Sequence, residues 1–286
     1  MNIKAGGFLA GLLTASLLWS AVCAGESTAP QGEKLPLYEY GIVGLAARVP
    51  HYSGSDEYQT YAFPIPYFVY RGEILKADKE GVRGIFWRYK QFETDISLAG
   101  NPPAGDDTVR KGMADLNAIF EVGPALNYYF FEYGERDSFF FQATLRAAFS
   151  VDFSSGLEIE HQGYVSDLSF IFRDSRIFRE QKIRFHVSTG VRFADAAMNS
   201  YFYEVSQADV TPNRGYYQAE GGYGGLQVSG SITKELTPNF SVSCYGRWIN
   251  IDGAVYADSP LVSIHNNYIA GAMLVWKFGE SESREP

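Results

Sequence analysis

The stretch KIRFHVSTGVRF, residues 182–193, alternates without a break between two kinds of side chain. Charged and small polar residues occupy one parity, and apolar residues with one threonine occupy the other. Side chains of a β-strand point to opposite faces with a period of two, so the stretch predicts a strand with one basic face and one apolar face. Such a strand suits a soluble antiparallel sheet, with the apolar face on a core. It equally suits a membrane β-barrel, with the apolar face on lipid and the basic face in the lumen.

The same alternation recurs along the chain at fairly even spacing. It predicts twelve strands: 39–48, 60–70, 73–79, 81–89, 92–99, 117–130, 138–150, 164–173, 182–193, 225–235, 240–250 and 267–278. Twelve is an even number, as a closed bacterial barrel with both termini on one side requires. A count of ten stays open, because 73–89 can also be read as one kinked strand.

The connections between these strands alternate in length. Short ones such as YRGE, YGERDS and LTPN contrast with long ones at 49–59, 100–116, 151–163, 194–224 and 251–266. Outer-membrane barrels have short periplasmic turns and long external loops, whereas soluble strands need no such asymmetry. We therefore predict an all-β fold, an antiparallel transmembrane β-barrel of about twelve strands with short periplasmic turns and long external loops.

Composition agrees with this fold class. Aromatic residues make up 16% of the chain and there are 29 glycines, while the hydrophobic fraction is 46%. A barrel produces this pattern because tyrosine, tryptophan and phenylalanine collect at its two membrane interfaces. The net charge is -9 and the charges are unclustered, so we expect no nucleic-acid partner.

The N-terminus has the pattern of an export signal. Lys4 precedes an apolar run over 8–22, and Val22-Cys23-Ala24 fits a signal-peptidase site. We predict a signal peptide over 1–24, cleaved after Ala24, in preference to a membrane anchor or a lipoprotein attached at Cys23. The rest divides into a flexible periplasmic lead-in at 25–37, the barrel at 38–278 and a short polar tail at 279–286. Cleavage leaves Cys244 as the only cysteine, so we expect no internal disulfide.

A search for catalytic residues centres on four histidines: His51, His161, His186 and His265. His186 is the sharpest candidate because it shares the lumen-facing parity with Arg184 and Ser188, and we interpret it as a polar lumen residue. HYSGSDE at 51–57 matches no metal-ligand spacing, and GGYGG at 221–225 lacks the lysine and helix of a phosphate loop. We predict a protein that is not an enzyme and has no catalytic residue, cofactor or metal ion.

Charged residues of lumen parity carry both signs. Glu93, Asp95, Glu121, Asp167 and Arg173 belong to this set. The residues that we expect to line the lumen are Arg146, Lys182, Arg184, His186, Arg192 and Arg247. Mixed charges can pair across a narrow barrel and nearly close it, or line a pore with acidic and basic sides, and the sequence leaves both possibilities open.

HYSGSDEYQTYAFPIPYFVYRGE, residues 51–73, resembles the start of the MipA/OmpV family of outer-membrane barrels. The residues that carry the resemblance are Tyr52, Gly54, Ser55, Asp56, Pro64, Pro66, Tyr67, Tyr70 and Arg71. We expect Gly54 with Ser55 and Asp56 to form a tight loop exit, and the two prolines to mark bulges.

The second half of the chain agrees in order with the same family. NSYFYEV at 199–205, GYYQAEGG at 215–222 and LTPNFSV at 236–242 precede ADSPLV at 257–262, in which Asp258, Ser259 and Pro260 are the most specific. The chain departs from the pattern at Tyr203, where a glycine is usual, and in the tail after Phe278.

The resemblance implies a non-enzymatic outer-membrane protein of a Gram-negative bacterium, with the lipid bilayer as its first partner. It also implies a scaffold that brings together a murein lytic transglycosylase and a bifunctional peptidoglycan synthase. The rival hypothesis is a narrow, porin-like channel for small solutes or antibiotics, since members of the family are linked to adhesion, stress response and antibiotic uptake. The oligomeric state is not predicted.

Overall fold

A computed structural model describes residues 36–71, 75–78, 81–84, 87–105, 107–132, 138–152, 156–174, 177–178 and 180–283. The predicted signal peptide and most of the lead-in lie outside these residues, so cleavage after Ala24 stays a prediction. None of the helices among the described residues is long and apolar enough to cross a membrane.

Strands make up most of the described chain, as the alternating sequence predicts. They are β1 (Tyr38–Pro50), β2 (Tyr58–Arg71), β3 (Leu75–Asp78), β4 (Gly81–Gly84), β5 (Trp87–Tyr89), β6 (Phe92–Asn101), β7 (Ala118–Glu132), β8 (Ser138–Asp152), β9 (Glu158–Asp174), β10 (Ile183–Ala194), β11 (Gly222–Thr237), β12 (Phe240–Asn250) and β13 (Asn266–Glu280). Within the described part of the chain, one α-helix, α1 (Ala196–Tyr203), and 3-10 turns at Thr108–Arg110 and Gln207–Asp209 lie in the long loops.

All thirteen strands belong to one antiparallel sheet, in the order β4-β3-β2-β1-β13-β12-β11-β10-β9-β8-β7-β6-β5. Because direction alternates along this order, its two ends, β4 and β5, run the same way. They are also neighbours along the chain: β4 pairs with β3, and β5 pairs with β6. Residues 85–86 between them lie outside the described residues, so the choice between twelve and ten strands stays a prediction.

The first and last strands pair with each other and bring the two ends of the chain together. Gly44 lies opposite Leu274 in this pair, and Leu37 donates its backbone N–H to the carbonyl of Ser283 at 2.8 Å. The long loops lie at the other end of the sheet. This separation of termini and long loops matches the predicted periplasmic and external ends.

The two faces of the sheet have the predicted chemistry. On β10, Val187 and Phe193 point outward and are exposed, while His186 and Arg192 line the interior. The outward face elsewhere carries exposed apolar and aromatic residues: Tyr40, Ile42, Phe68, Leu145, Tyr164, Ile232, Tyr268, Leu274, Trp276 and Phe278. This is the arrangement of a barrel whose outer surface meets lipid.

The interior is divided into an apolar part and a polar part. On the side of β1, β2 and β13 it is filled by apolar residues that include Val43, Leu45, Val69, Met273 and Val275. On the side of β6 to β10 it carries the charged residues described below. The apolar part packs like an ordinary protein core, so any free space in the lumen lies on the polar side.

Two expectations about the strands are wrong. Pro64 and Pro66 do not mark bulges, because they pair with Gly44 and Ile42 in an unshifted register. Proline has no N–H to donate to a neighbouring strand. It is tolerated at these positions because alternate residues direct their N–H groups to opposite edges of β2, and β2 pairs with β3 only at its last two residues. The connection 151–163 is also shorter than expected, because the β8–β9 ladder continues to the pair Asp152 and Glu158.

Candidate functional site: the lumen cavity and its loop cap

Four charged residues from four successive strands meet in the polar part of the lumen. We call Glu121 of β7, Arg146 of β8, Asp167 of β9 and Arg192 of β10 the charge tetrad. Arg146 donates from Nε to Glu121 at 2.9 Å and also pairs with Asp167. Arg192 pairs with Glu121, and its Nη1 lies 3.5 Å from Asp167. Each carboxylate thus contacts both guanidinium groups, and the tetrad has no net formal charge.

Two members of the tetrad are buried and the other two are half-buried, and the Nη1 donors of Arg146 have partners of their own. Arg146 donates from Nη1 to Thr144 at 2.7 Å and to Ser97 at 3.1 Å. Glu121 and Arg146 are 1% and 4% exposed. Removing ions from water is expensive unless they are paired and hydrogen-bonded, and both conditions are met here. The tetrad therefore ties together the four strands of the polar wall.

A second polar chain lies on the same wall nearer the periplasmic end. Gln142 donates to Asn127 at 2.9 Å, and Asn127 donates to Asp95 at 3.1 Å. The two sets of contacts show how mixed lumen charges are accommodated: most of them pair with one another.

Beside the tetrad the lumen contains a cavity of about 280 Å³. Its charged lining residues are Asp95, Glu121, Asp167, Arg146, Arg173, Arg192 and Arg247, together with His51 and His186. Ser188, Gln227 and Ser229 add neutral polar groups. The cavity is thus a polar compartment inside the barrel, and its residues come from several strands.

The predicted lumen-lining residues fall into three groups. Arg146, His186, Arg192 and Arg247 line the cavity. Arg184 lies on the interior face of β10, and its Nη2 is 3.3 Å from Glu235 on β11. Lys182 does not line the lumen, because β10 begins at Ile183 and Lys182 is exposed in the preceding turn, where its φ is 53°. A left-handed backbone at this position ends the strand alternation on which the prediction rests.

The external end of the barrel is covered by four loops that bind one another: 51–57, 102–117, 195–221 and 251–265. We call them the loop cap. Tyr52 donates from its hydroxyl to the carbonyl of Leu261 at 2.7 Å. Gly54 donates its N–H to Asn267 at 2.6 Å, and Asn267 donates to the carbonyl of Ser55 at 2.7 Å. The two halves of the family motif therefore meet in space, although about 200 residues separate them in the sequence.

Most family-motif residues now have a structural place. Gly54 has a φ of +102° and forms the predicted turn. Ser259 donates from Oγ to the carbonyl of Tyr203 at 2.7 Å. Tyr67 points into the barrel, with its hydroxyl 3.4 Å from Glu39. Asp56 and Asp258 are exposed, and Pro260 follows Ser259 in the cap.

Helix α1 forms the centre of the loop cap. Its N-terminus is capped by Asp195, whose carboxylate accepts a hydrogen bond from the N–H of Met198 at 2.9 Å. Its last residue, Tyr203, donates from its hydroxyl to the carbonyl of Ser53 at 2.9 Å. Burial raises the pKa of Tyr203 well above its ordinary value, with Tyr256 adding to the effect, so the hydroxyl stays protonated and can donate.

Two arginines that sequence reasoning missed, the half-buried Arg110 and the buried Arg214, connect the cap loops. Arg110 donates from Nη1 to the carbonyl of Phe202 at 2.8 Å. Arg214 donates to the carbonyls of Val109 and Asp209 at 2.8 and 2.9 Å. Loop arginines follow no period, so no sequence signal pointed to them.

A cluster of His51, Glu57 and Asp107 joins loop 51–57 to loop 102–117. Ligand-type atoms of the three residues lie within 4.8 Å of one another. His51 Nδ1 is 3.0 Å from Asp107, which also accepts a hydrogen bond from Ser55 at 2.9 Å. Glu57 accepts one from the N–H of Thr108 at 2.8 Å. These hydrogen bonds explain the cluster as a contact that joins the two loops. The motif HYSGSDE contains only His51 and Glu57, because Asp107 belongs to the other loop.

The remaining histidines have ordinary surroundings. His161 lies on the outer face between Phe149 and Tyr164. His265 is exposed and pairs with Asp252 at 2.7 Å. Ser188, the serine nearest to His186 along β10, shares a 2.6 Å hydrogen bond with Ser229.

The sequence matches the family described as MltA-interacting protein MipA over residues 43–278. The chain belongs to this family. The match begins within β1 and ends within β13, and it covers both halves of the loop-cap motif. Together with the apolar outer face, membership makes this MipA-family chain an outer-membrane β-barrel protein. No curated protein gives a significant sequence match.

Several solved outer-membrane barrels are similar at low identity. The NanC porin is 8% identical with a TM-score of 0.39, covering 84% of this chain and 100% of that chain. The CymD monoaromatic hydrocarbon channel is 10% identical with a TM-score of 0.32, covering 98% and 94%. The transport unit of the autotransporter AIDA-I from Escherichia coli is 11% identical with a TM-score of 0.28, covering 95% and 98%. Similarities this low carry no functional argument.

Proposed function

We propose that this MipA-family protein is a non-enzymatic scaffold that brings together a murein lytic transglycosylase and a bifunctional peptidoglycan synthase at the outer membrane. The family description, which names an MltA-interacting protein, supports the proposal. The charge tetrad and the loop cap support it too, because paired charges lie inside the lumen and four mutually bonded loops cover its external end.

The observation that carries the proposal is the common exit of the two polar tails. Tyr38 donates its N–H to Ser281 Oγ at 3.1 Å, and Ser281 donates its N–H to the carbonyl of Tyr38 at 2.9 Å. Residues 36–38 of the chain and residues 281–283 therefore lie side by side at the periplasmic end. Two polar segments that start from one point would offer a periplasmic enzyme a contact that the short turns alone do not.

A pull-down from gently solubilised native membranes tests the scaffold. The tagged full-length protein is compared with a variant that lacks 25–34 and with a control in which 25–34 is scrambled at constant composition. We expect the full-length protein to recover a lytic transglycosylase and a peptidoglycan synthase, and the deletion to recover much less of both. If all three chains recover only barrel-assembly factors, the scaffold proposal is wrong.

The narrow channel is the second candidate, and the cavity of about 280 Å³ is the observation in its favour. A channel predicts discrete conductance steps in planar bilayers, and the step size should change when Arg192 is replaced by glutamine. The scaffold predicts no steady conductance while the loop cap is in place.

A further inference from the structure

The lumen cavity contains more positive than negative groups. Four arginines and three carboxylates line it. Glu121 and Asp167 are shared by Arg146 and Arg192 within the tetrad, and Asp95 accepts a hydrogen bond from Asn127. The carboxylates are thus engaged on one wall of the cavity.

Arg247 lies on the opposite wall, on the inward face of β12. Its guanidinium is 5.6 Å from the ring centre of Tyr245, a cation–π contact. Among the described residues, no salt bridge within 4.0 Å joins Arg247 to a carboxylate, and Asp167, which also lines the cavity, acts on it only at longer range. A partly buried guanidinium has five N–H donors and keeps its charge at any physiological pH, so it favours an anion beside it.

The surroundings of Arg247 are rich in neutral polar groups. Ser229 lies directly opposite it on β11, and Ser188 on β10 bonds to Ser229 at 2.6 Å. Gln227 and Arg192 line the same part of the interior. Hydroxyl and amide groups next to a guanidinium are the groups that bind carboxylate and phosphate oxygens.

We propose that the lumen cavity binds a small polar solute through an oxyanion, a carboxylate or a phosphate, with Arg247 as its main ligand and Ser229 and Gln227 as supporting donors. On the other wall, the side-chain oxygen of Gln142 provides an acceptor for a hydroxyl group of the same solute. The site is independent of the proposed scaffold function, because it lies inside the barrel and the scaffold contacts lie on the periplasmic tails.

Equilibrium dialysis of the folded full-length protein in detergent tests the site, with radiolabelled inorganic phosphate and radiolabelled citrate as probes. We expect saturable binding of one anion per chain for the wild type. Arg247→Gln should weaken it about tenfold or more, since a charge-assisted contact is lost. Arg247→Lys keeps the charge without the planar fork and should fall between the two.

Arg48→Gln is the matched control. Arg48 lies on the outer face of β1 over the ring of Tyr58, so its loss removes the same charge without touching the cavity. Glucose serves as the neutral probe and should not compete with either anion. The shift in gel mobility on boiling verifies that each variant is folded.

Three results would overturn the proposal. One is the absence of saturable binding by the wild type, which needs no variant to interpret. Another is equal affinity in the wild type and the folded Arg247→Gln chain. The third is equal weakening by Arg48→Gln, which would place the anion on the outer surface. A change at Arg247 leaves the pull-down of murein enzymes unaffected, so failure of this site and failure of the scaffold are distinguishable.

Discussion

The ring of Tyr203 lies face to face on the ring of Tyr256, with centroids 3.7 Å apart and an interplanar angle of 6°. The contact joins loop 195–221 to loop 251–265, and both residues are buried. The stacked pair is therefore an aromatic link between two loops of the cap.

Replacing Tyr203 with glycine should loosen the loop cap without unfolding the barrel. The change removes a buried ring and the hydrogen bond from its hydroxyl to the carbonyl of Ser53, a loss of about 3 kcal/mol of local stability. Limited proteolysis of intact cells should cut loop 195–221 faster in the variant. Tyr216→Gly is the control, because Tyr216 is exposed in the same loop. Equal cutting of both variants would show that the stacked pair does not hold the cap.

Replacing Arg146 with methionine should destabilise the barrel. The change leaves Glu121 and Asp167 with only Arg192 as a partner, and breaking a buried ion pair costs about 3 to 5 kcal/mol. Urea unfolding in lipid vesicles, followed by tryptophan fluorescence, measures the loss. Arg48→Met is the surface control and should change the stability by less than about 0.5 kcal/mol.

A double-mutant cycle separates the pair from its surroundings. Combining Arg146→Met with Glu121→Gln should cost less than the sum of the two single changes, because the second removes a charge that the first left unpaired. Strict additivity would mean that the two residues do not stabilise each other.

The period-two pattern was sufficient to predict which residues face the lumen inside each strand. Arg146, His186, Arg192 and Arg247 all line the cavity, because a continuous strand fixes the direction of every side chain once one is known. The alternation holds only inside a strand. Lys182 lies one residue before β10, so its position in the alternation does not fix the direction of its side chain. The even spacing predicted the strands themselves, and the described parts of the predicted strand 81–89 are β4 and β5.

The loop cap was only partly accessible from the sequence. The family motif indicated that loops 51–57 and 251–265 matter for the structure. The sequence did not indicate that the hydroxyl of Tyr52 binds the carbonyl of Leu261. Contacts such as Arg110 with Phe202 depend on how two loops approach each other in space, which has no period along the chain. Sequence reasoning thus recovers barrel walls better than the loops that cover them.

Docking of loop 102–117 onto loop 51–57 should weaken in acid. The side-chain hydroxyl of Thr108 and then its backbone N–H, which lies 2.8 Å from Glu57, lower the pKa of the Glu57 carboxyl below its ordinary value. A depressed folded-state pKa contributes stability that is present above the unfolded value of about 4.3 and is lost as the pH falls through the lower folded value. Protease cutting of loop 102–117 should therefore rise at low pH. In Glu57→Gln the rise should be smaller, and an identical pH profile would contradict the assignment.

Replacing Gly163 with alanine should disrupt the start of helix α1. Gly163 has a φ of +127°, and a Cβ there would lie 2.2 Å from Asp195 Oδ1 and 2.7 Å from the N–H nitrogen of Met198. The strained backbone alone costs about 1 to 3 kcal/mol, and displacing the Asp195 cap adds about 1 kcal/mol. Protease cutting of loop 195–221 should increase strongly, whereas Asp195→Ala should give a milder increase. Gly215→Ala is the matched control, because nothing lies within 4 Å of its added Cβ. If Gly163→Ala and Gly215→Ala are cut at the same rate, the close approach of β9 to the helix start does not hold the loop in place.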